Sequence, residues 1–257
     1  MKRRMRIGNH SVYHGKRAFL RDFLIPPRCP GCRKFLKITG RHSPFCGECL
    51  EMFEQDLRKP CKECKRAMCE CTCLPTLLTE NGITEGLVLA AYRQGGYTVA
   101  ARSVFRMKSD LDPFLFDEFA KRLARRIAHA VRQEGIDPQR VFIVSLPRSR
   151  RAVNVNGFDQ AHELAWRIAE RTGFPYVDCL RRRISGAEQK TLTAEERQRN
   201  LSGVFRFKSN VSFEGATVFL IDDIVTSGSG ILECAFLLYE AGAVRVIPAT
   251  LARTIEQ

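Results

Sequence analysis

Asp222 and Asp223 close the apolar run VFLI and are followed at once by IVTSGSG. Carboxylates at the end of a strand can accept hydrogen bonds from hydroxyl groups or hold a hard cation. The residues behind them favour the opposite charge. Thr226, Ser227, Gly228, Ser229 and Gly230 lead straight into a helical pattern, and backbone N–H groups at such a start form a nest for an anion. One ligand group cannot satisfy both halves, because the acids repel the phosphate that the nest attracts. A ligand carrying a polyhydroxylated ring and a phosphate satisfies both at once. A ribose 5-phosphate is such a ligand, with its 2- and 3-hydroxyls on the acids and its phosphate in the nest. The plain alternative is a surface turn rich in Asp, Ser and Gly. A Walker loop would end in GK[ST], and a dinucleotide fingerprint would read GxGxxG behind an early strand; the chain has neither.

A second chemistry lies near the N-terminus. Nine of the eleven cysteines fall between residues 29 and 73. The pairs Cys29/Cys32 and Cys46/Cys49 are each of the form CxxC, and two such turns make a closed, four-thiolate structural zinc site. Cys61 and Cys64 form a third pair, followed by CECTC, which offers three thiols where two are needed. The expected second set is Cys61, Cys64, Cys69 and Cys73, with Cys71 as a substitute for either of the last two. Interleaved pairing and free or redox-active thiols are the other readings. A segment this short has too little core to fold alone, so bound metal would supply much of its stability.

The elements that must position these groups follow from periodicity. GLVLAAY (86–92) reads as a strand, YTVAARSVFRMKSD as a helix, and LPTLLTENGIT before them as a linker. DPFLFDEFAKRLARRIAHAVRQEG reads as a helix capped by Asp112, with Pro113 in its first turn, an apolar stripe through Phe116, Phe119, Leu123, Ile127 and Val131, and Gly135 as its stop. Then come the strand VFIVSL (141–146), the loop PRSRRAVNVNG, the helix FDQAHELAWRIAERTG and the strand PYVDCL. A long polar stretch leads to GVFRF, a short strand. ATVFLI, GILECAFLLYEAG and AVRVIPATLA read as strand, helix and strand. This alternation predicts an α/β fold with a mostly parallel sheet flanked by helices. Such sheets bind ligands beyond the carboxyl ends of their strands, which puts the loops 147–157 and 222–230 on one rim.

Composition sets the limits. The 257 residues, 44% hydrophobic, can bury one sizeable core with a small module attached. No apolar run reaches the ~20 residues of a membrane span. The N-terminal MKRRMRIGNH lacks the apolar stretch of a signal peptide, so a cytoplasmic chain without membrane insertion is expected. The net charge of +14 favours polyanionic partners, although solvated basic helix faces account for it equally well.

VFLIDDIVTSGSG closely resembles the phosphoribosyl pyrophosphate (PRPP) signature of type I phosphoribosyltransferases. The wider chain resembles the ComF family of competence-associated proteins, through PPRCPGC, SLP…GFDQAHELA, EQKTLTAEERQRNLSGVF, the signature itself and AGAVRVIPATLART, in that order from about Arg28 to Thr254. The resemblance implies a type I phosphoribosyltransferase fold over 76–257, a zinc-ribbon-like module over 28–75 and a basic segment at 1–27. It implies that Asp222 and Asp223 hold the ribose hydroxyls, directly or through Mg2+. Ile224, Val225, Thr226, Ser227, Gly228, Ser229 and Gly230 would line the phosphate, while Pro147, Arg148 and Arg151 would meet the pyrophosphate. A lid over 183–200 would carry Gln189, Lys190, Arg197 and Asn200. The implied chemistry is displacement of pyrophosphate at the anomeric carbon of ribose, with lid closure excluding water. The acceptor is unidentified, and single-stranded DNA or DNA-uptake proteins are candidate partners. An alternative within the same fold is a module that senses PRPP or a nucleotide without turnover. Departures from the family pattern are Asn156 before GFDQA, Gly230 at the end of the signature, and Ser145-Leu146-Pro147-Arg148 where the family usually reads VPLH.

Overall fold

VFIVS, ATVFLIDDIV and AVRVIPATLART are apolar with little alternation, the pattern of strands covered on both faces. The computed structural model describes residues 26–37, 43–93, 98–107, 112–149, 153–155, 157–183, 203–208 and 211–255. The strands are β1 (Leu87–Tyr92), β2 (Val141–Ser145), β3 (Leu180–Arg182), β4 (Phe205–Phe207), β5 (Ala216–Val225) and β6 (Ala243–Thr254). The helices are α1 (Gly47–Arg58), α2 (Thr76–Glu80), α3 (Val99–Arg106), α4 (Pro113–Gln133), α5 (Gln160–Thr172) and α6 (Ser229–Glu240). The main sheet runs β1-β6-β5-β2 with every pairing parallel. β3 and β4 form a separate antiparallel pair.

Helix ends follow the expected chemistry. Asp112 caps α4 by accepting from the Phe114 amide at 3.0 Å, and Gly135 beyond its end adopts φ +62°. Asp159 caps α5 by accepting from the amides of Ala161 and His162, and Gly173 closes it at φ +77°.

Two apolar cores sandwich the sheet. One joins α4 and α5 to Phe219, Ile221 and Leu251. The other joins α6 and the β3–β4 hairpin to Val144, Val218 and Leu220. The cysteine segment does not stand apart from the first. Cys29, Phe45, Cys49, Phe53 and Leu57 are buried in the same cluster as α4. The Phe53 ring lies edge-on to Phe119 at 5.7 Å and stacks on Phe45 at 4.6 Å. Full burial of such a side chain contributes about 1.5–3 kcal/mol.

The order of connections creates a crevice. From β2 the chain passes through α5 and returns on the outer side of β2, where Tyr176 bridges Ile143 in parallel. From β5 it passes through α6 to β6, on the other side. The connections after β2 and β5 therefore diverge, the arrangement in which sheets of this kind hold a ligand crevice beyond the carboxyl ends of the two strands.

Two elements depart from expectation. PYVDCL does not form one strand: its first half runs beside β2, with the Val177 amide donating to the Ile143 carbonyl at 2.9 Å, and its end turns away as β3. The linker after Cys73 contains α2, because Leu78 is fully buried against the glycine loop after β5. Among the described residues, no helix is long and apolar enough to cross a membrane.

Candidate functional site at the carboxyl rim

β5 does not end at the acids. Its pairing with the long strand β6 continues to Val225↔Arg253, so Asp222 and Asp223 sit within the last residues of a paired strand. Each carboxylate is tied to the local backbone. Asp222 Oδ1 accepts from the Asp223 amide at 2.8 Å, and Asp223 Oδ1 accepts from the Ile224 amide at 2.7 Å. Asp222 is partly buried, and burial pushes its carboxyl well above the usual carboxylate range; the adjacent charge of Asp223 pushes the same way.

Asp223 is only 7% exposed. Its Oδ2 accepts from the Arg148 guanidinium at 3.1 Å. Arg148 reaches the acid from the loop after β2, directly across the crevice. It also donates from its side chain to Gln160 Oε1, while its backbone N–H donates to Asp159 Oδ2 at 3.2 Å. The β2 loop, the start of α5 and the end of β5 are thereby locked together around one guanidinium. Gln160, 1% exposed, is a site residue that sequence reading missed. It stands inside the quoted GFDQAHELA, but nothing in the spacing pointed it at Arg148.

The glycine loop expected to form a nest turns left-handed just before α6. Gly228 precedes α6 with φ +84° and has no side chain to cap it, while Ser227 Oγ accepts from the Ser229 amide at 3.4 Å. A Cβ on Gly228 would lie 2.7 Å from Leu78 Cγ, so both the backbone angle and the space demand glycine. Thr226, Ser227 and Ser229 are exposed, and the hydroxyls of Ser227 and Ser229 lie 3.2 Å apart. A Cβ on Gly230 would lie 3.7 Å from the Phe205 ring and 3.8 Å from Leu146. Ile224, Val225 and Pro147 are buried and support the rim from below.

Arg151, Asn156, Gln189, Lys190, Arg197 and Asn200 lie outside the described residues. The strands that flank the expected lid are described. The Arg183 amide donates to the Val204 carbonyl at 2.7 Å, and buried Glu233 of α6 accepts from the Phe205 amide at 2.8 Å. This anchors the hairpin beside Gly230. A polar chain unforeseen from the sequence also ends near the rim: Ser145 Oγ lies 2.9 Å from Tyr176 Oη, which lies 2.7 Å from His162 Nδ1. Burial pushes the Tyr176 phenol upward.

The cysteines gather into two groups of four, each with sulfurs all within 4.8 Å of one another. The first is Cys29, Cys32, Cys46 and Cys49, as expected. The second is Cys61, Cys64, Cys71 and Cys73, with Cys71 in the place expected for Cys69. The reason is local. The turn Met68–Glu70 leaves Cys69 against the core shared with α4, while Cys71 is fully buried facing the other thiols. Sulfur separations of 3.6 Å (Cys32–Cys46) and 3.9 Å (Cys64–Cys71) match the spacing of about 3.8 Å set by tetrahedral zinc with bonds of about 2.3 Å.

The leading pair of each group makes the same knuckle. The amides of Cys29 and Cys61 donate to the carbonyls of Lys34 and Arg66, and Arg33 and Lys65, directly after each second cysteine, take φ +69° and +61°. A Cβ on Gly31 would lie 2.6 Å from Cys49 Sγ. Burial opposes ionisation of Cys29, but the amides of Cys32, Cys46 and Gly31 outweigh it and bring the thiol down to about 7. In the second group, burial likewise opposes ionisation of Cys64, while the Arg66 amide and guanidinium bring it to about 6. Both donor sets fit zinc. Arg253, on β6, fastens the second group to the sheet: it pairs with Glu63 at 2.6 Å and reaches Cys61 Sγ at 3.9 Å. Arg126 of α4 adds a bond to the Cys71 carbonyl at 3.1 Å.

Asp223 fits a directly bound magnesium poorly. Mg2+ needs near-octahedral oxygens at about 2.0–2.1 Å. Both oxygens of Asp223 are already engaged, one of them by a cation.

No protein-family profile matches the chain. It is 34% identical over 138 residues to the DNA utilization protein YhgH of Salmonella typhimurium, covering 53% of this chain and 59% of that protein. Against YhgH of Escherichia coli K12 the figures are 33% over 144 residues, 54% and 62%. The chain thus spans about three-fifths of the length of these relatives. Over 243 residues it is 29% identical to the competence protein ComFC of Bacillus subtilis, covering 90% of this chain and 88% of that one. Among solved structures, an adenine phosphoribosyltransferase aligns at 18% identity and a TM-score of 0.38, covering 60% and 74% of the two chains. The glutamine PRPP amidotransferase of B. subtilis aligns at 20% identity and the same TM-score, covering 57% and 30%. At that score neither alignment carries weight, and the fold rests on the strand order itself.

Proposed function

We propose, from the chain's kinship with the ComF competence proteins along nearly its whole length, that the rim binds PRPP and transfers its ribose 5-phosphate to an acceptor still to be identified. The observation that carries this reading is the divergence of the chain beyond β2 and β5, with the acid pair at the end of β5 and the glycine loop that starts α6 directly after it. Asp222 and Asp223 accept from the ribose 2- and 3-hydroxyls. The amides at the start of α6, with Thr226, Ser227 and Ser229, hold the 5-phosphate. Diphosphate leaves the anomeric carbon as positive charge develops on the ring, and the acids beneath stabilise that charge. The basic loop after β2 receives the leaving group. Magnesium, when it accompanies PRPP, neutralises the diphosphate. The two cysteine groups each hold a structural zinc.

The relatives are named for DNA utilization and for competence, and the +14 charge is compatible with a polyanionic partner. A second reading, binding of PRPP without turnover, is favoured by one observation: Asp223 is occupied by Arg148 across the crevice.

Calorimetric or thermal-shift titration of zinc-loaded protein with PRPP, magnesium present, tests the common part. A ligand held a hundredfold above its Kd stabilises the folded state by about 2.7 kcal/mol. No shift at millimolar PRPP overturns both readings. Release of pyrophosphate with candidate nucleobase and nucleic-acid acceptors decides between them.

A further inference from the structure

We infer that Arg148 is a resident counter-ion of the acid pair: it takes the place a divalent cation would otherwise occupy, and holds Asp223 ready to meet ribose hydroxyls without a bridging metal.

The geometry makes the case. The guanidinium lies on Asp223 Oδ2 at 3.1 Å, within a group of side chains mostly shielded from water. It is oriented at its other end by Gln160, itself 1% exposed, and its backbone is fixed by Asp159, the cap of α5. A planar guanidinium held at two points, on a backbone fixed at a third, is a preorganised donor, unlike a surface lysine that swings through solvent. The other Asp223 oxygen is bonded to the Ile224 amide, and Asp222 Oδ1 to the Asp223 amide. A metal entering here would have to sit beside a fixed positive charge. A neutral diol meets no such repulsion, and each carboxylate oxygen can accept a second hydrogen bond while keeping the first.

Consequences differ for metal and for ligand. With Arg148 in place, the pair should attract divalent ions weakly and diols well. Without it, the two acids become an ordinary hard-cation site, and diol binding comes to depend on that cation.

The first arm of the test uses Mn2+ alone, followed by electron paramagnetic resonance on zinc-loaded protein. The unsubstituted protein should show no Mn2+ site tighter than millimolar. Arg148→Ala should gain one about tenfold tighter or more, and Arg148→Ala with Asp223→Asn should lose it again. A gain of binding cannot come from a merely damaged fold, and Arg148→Lys should restore the weak behaviour. Equal Mn2+ affinity in the unsubstituted and Arg148→Ala proteins overturns the inference. The second arm rests on the PRPP reading and uses ribose 5-phosphate in metal-free buffer. Its affinity for the unsubstituted protein should change less than about twofold on adding Mg2+, whereas Arg148→Ala should weaken about tenfold without Mg2+ and recover with it. Strict Mg2+ dependence in the unsubstituted protein overturns the inference. Absence of any sugar-phosphate binding overturns the proposed function instead, and leaves the Mn2+ result to judge Arg148.

Discussion

Replacing Asp222 by Asn should make the protein more stable and less able to bind its ligand. The Asp222 carboxyl titrates well above the usual carboxylate range, because burial and the charge of Asp223 both disfavour its ionised form. The folded chain therefore holds this proton more tightly than the unfolded chain does. Stability from the group is fully present below the unfolded value of about 3.9, and falls as pH rises toward the raised folded value. At pH 7, well above the unfolded value, an acid held this way is thus a net cost. Asn keeps the acceptor that Oδ1 offers the Asp223 amide and removes the charge. Relief of such a functional strain commonly yields about 1–2 kcal/mol, which for a domain of this size moves Tm by roughly 2–8 °C. The assay is differential scanning calorimetry of both zinc-loaded proteins from pH 8 down to 5. The Tm gap should be widest at the alkaline end and narrow as pH falls, because the unfolded chain then approaches the protonated state that the folded chain favours. PRPP affinity should fall in the same variant, because a charged acceptor is lost from the diol site. An Asn variant less stable than the parent at pH 7 would refute the reasoning, since it would mean that the carboxylate is held by a partner stronger than its burial.

Gly228→Ala forces a Cβ into left-handed backbone and to within 2.7 Å of Leu78; a loss of about 2–4 kcal/mol is expected in chemical denaturation, and Leu78→Ala in the same chain should recover the steric share but not the backbone share. Cys71→Ser should remove close to one zinc equivalent by metal analysis, whereas Cys69→Ser should retain both, since only Cys71 lies with the other three thiols. Phe53→Ala should cost about 3–5 kcal/mol and speed zinc loss to a chromophoric chelator, because the same ring supports the cysteine segment and packs on Phe119; zinc loss at the parent's rate would show that the two are uncoupled.

The legible parts of this chain are those fixed by neighbours in sequence. Asp112 and Gly135 mark α4, Asp159 and Gly173 mark α5, and the acid pair with its glycine loop gave the rim, because caps and left-handed turns are decided within a few residues. Contacts that span the chain were hidden. Arg148 and Asp223 are 75 residues apart, and nothing local says that one faces the other. The α2 helix was read as linker because its five residues owe their shape to Leu78 packing on a glycine far downstream. PYVDCL has strand composition throughout, but only its first half has a neighbour in the main sheet. Cys69 and Cys71 could not be ranked by spacing; the short helical turn Met68–Glu70 decided between them.

Among the described residues β1 pairs only with β6, matching Leu87 to Ala249 and Tyr92 to Thr254. The strand made earliest in the sheet thus waits for the one made last, with β6 sliding between β1 and β5. Arg253, which braces the second thiol group, arrives with it. A ribosome delivers these partners in the wrong order: for most of translation β1 exposes a bare edge, and four thiols lack their basic brace. Completion of the sheet must then be a late, non-local event, slow in the way that high-separation pairings are. A nascent chain stalled anywhere before residue 243 would be a natural client for chaperones and an easy target for oxidation.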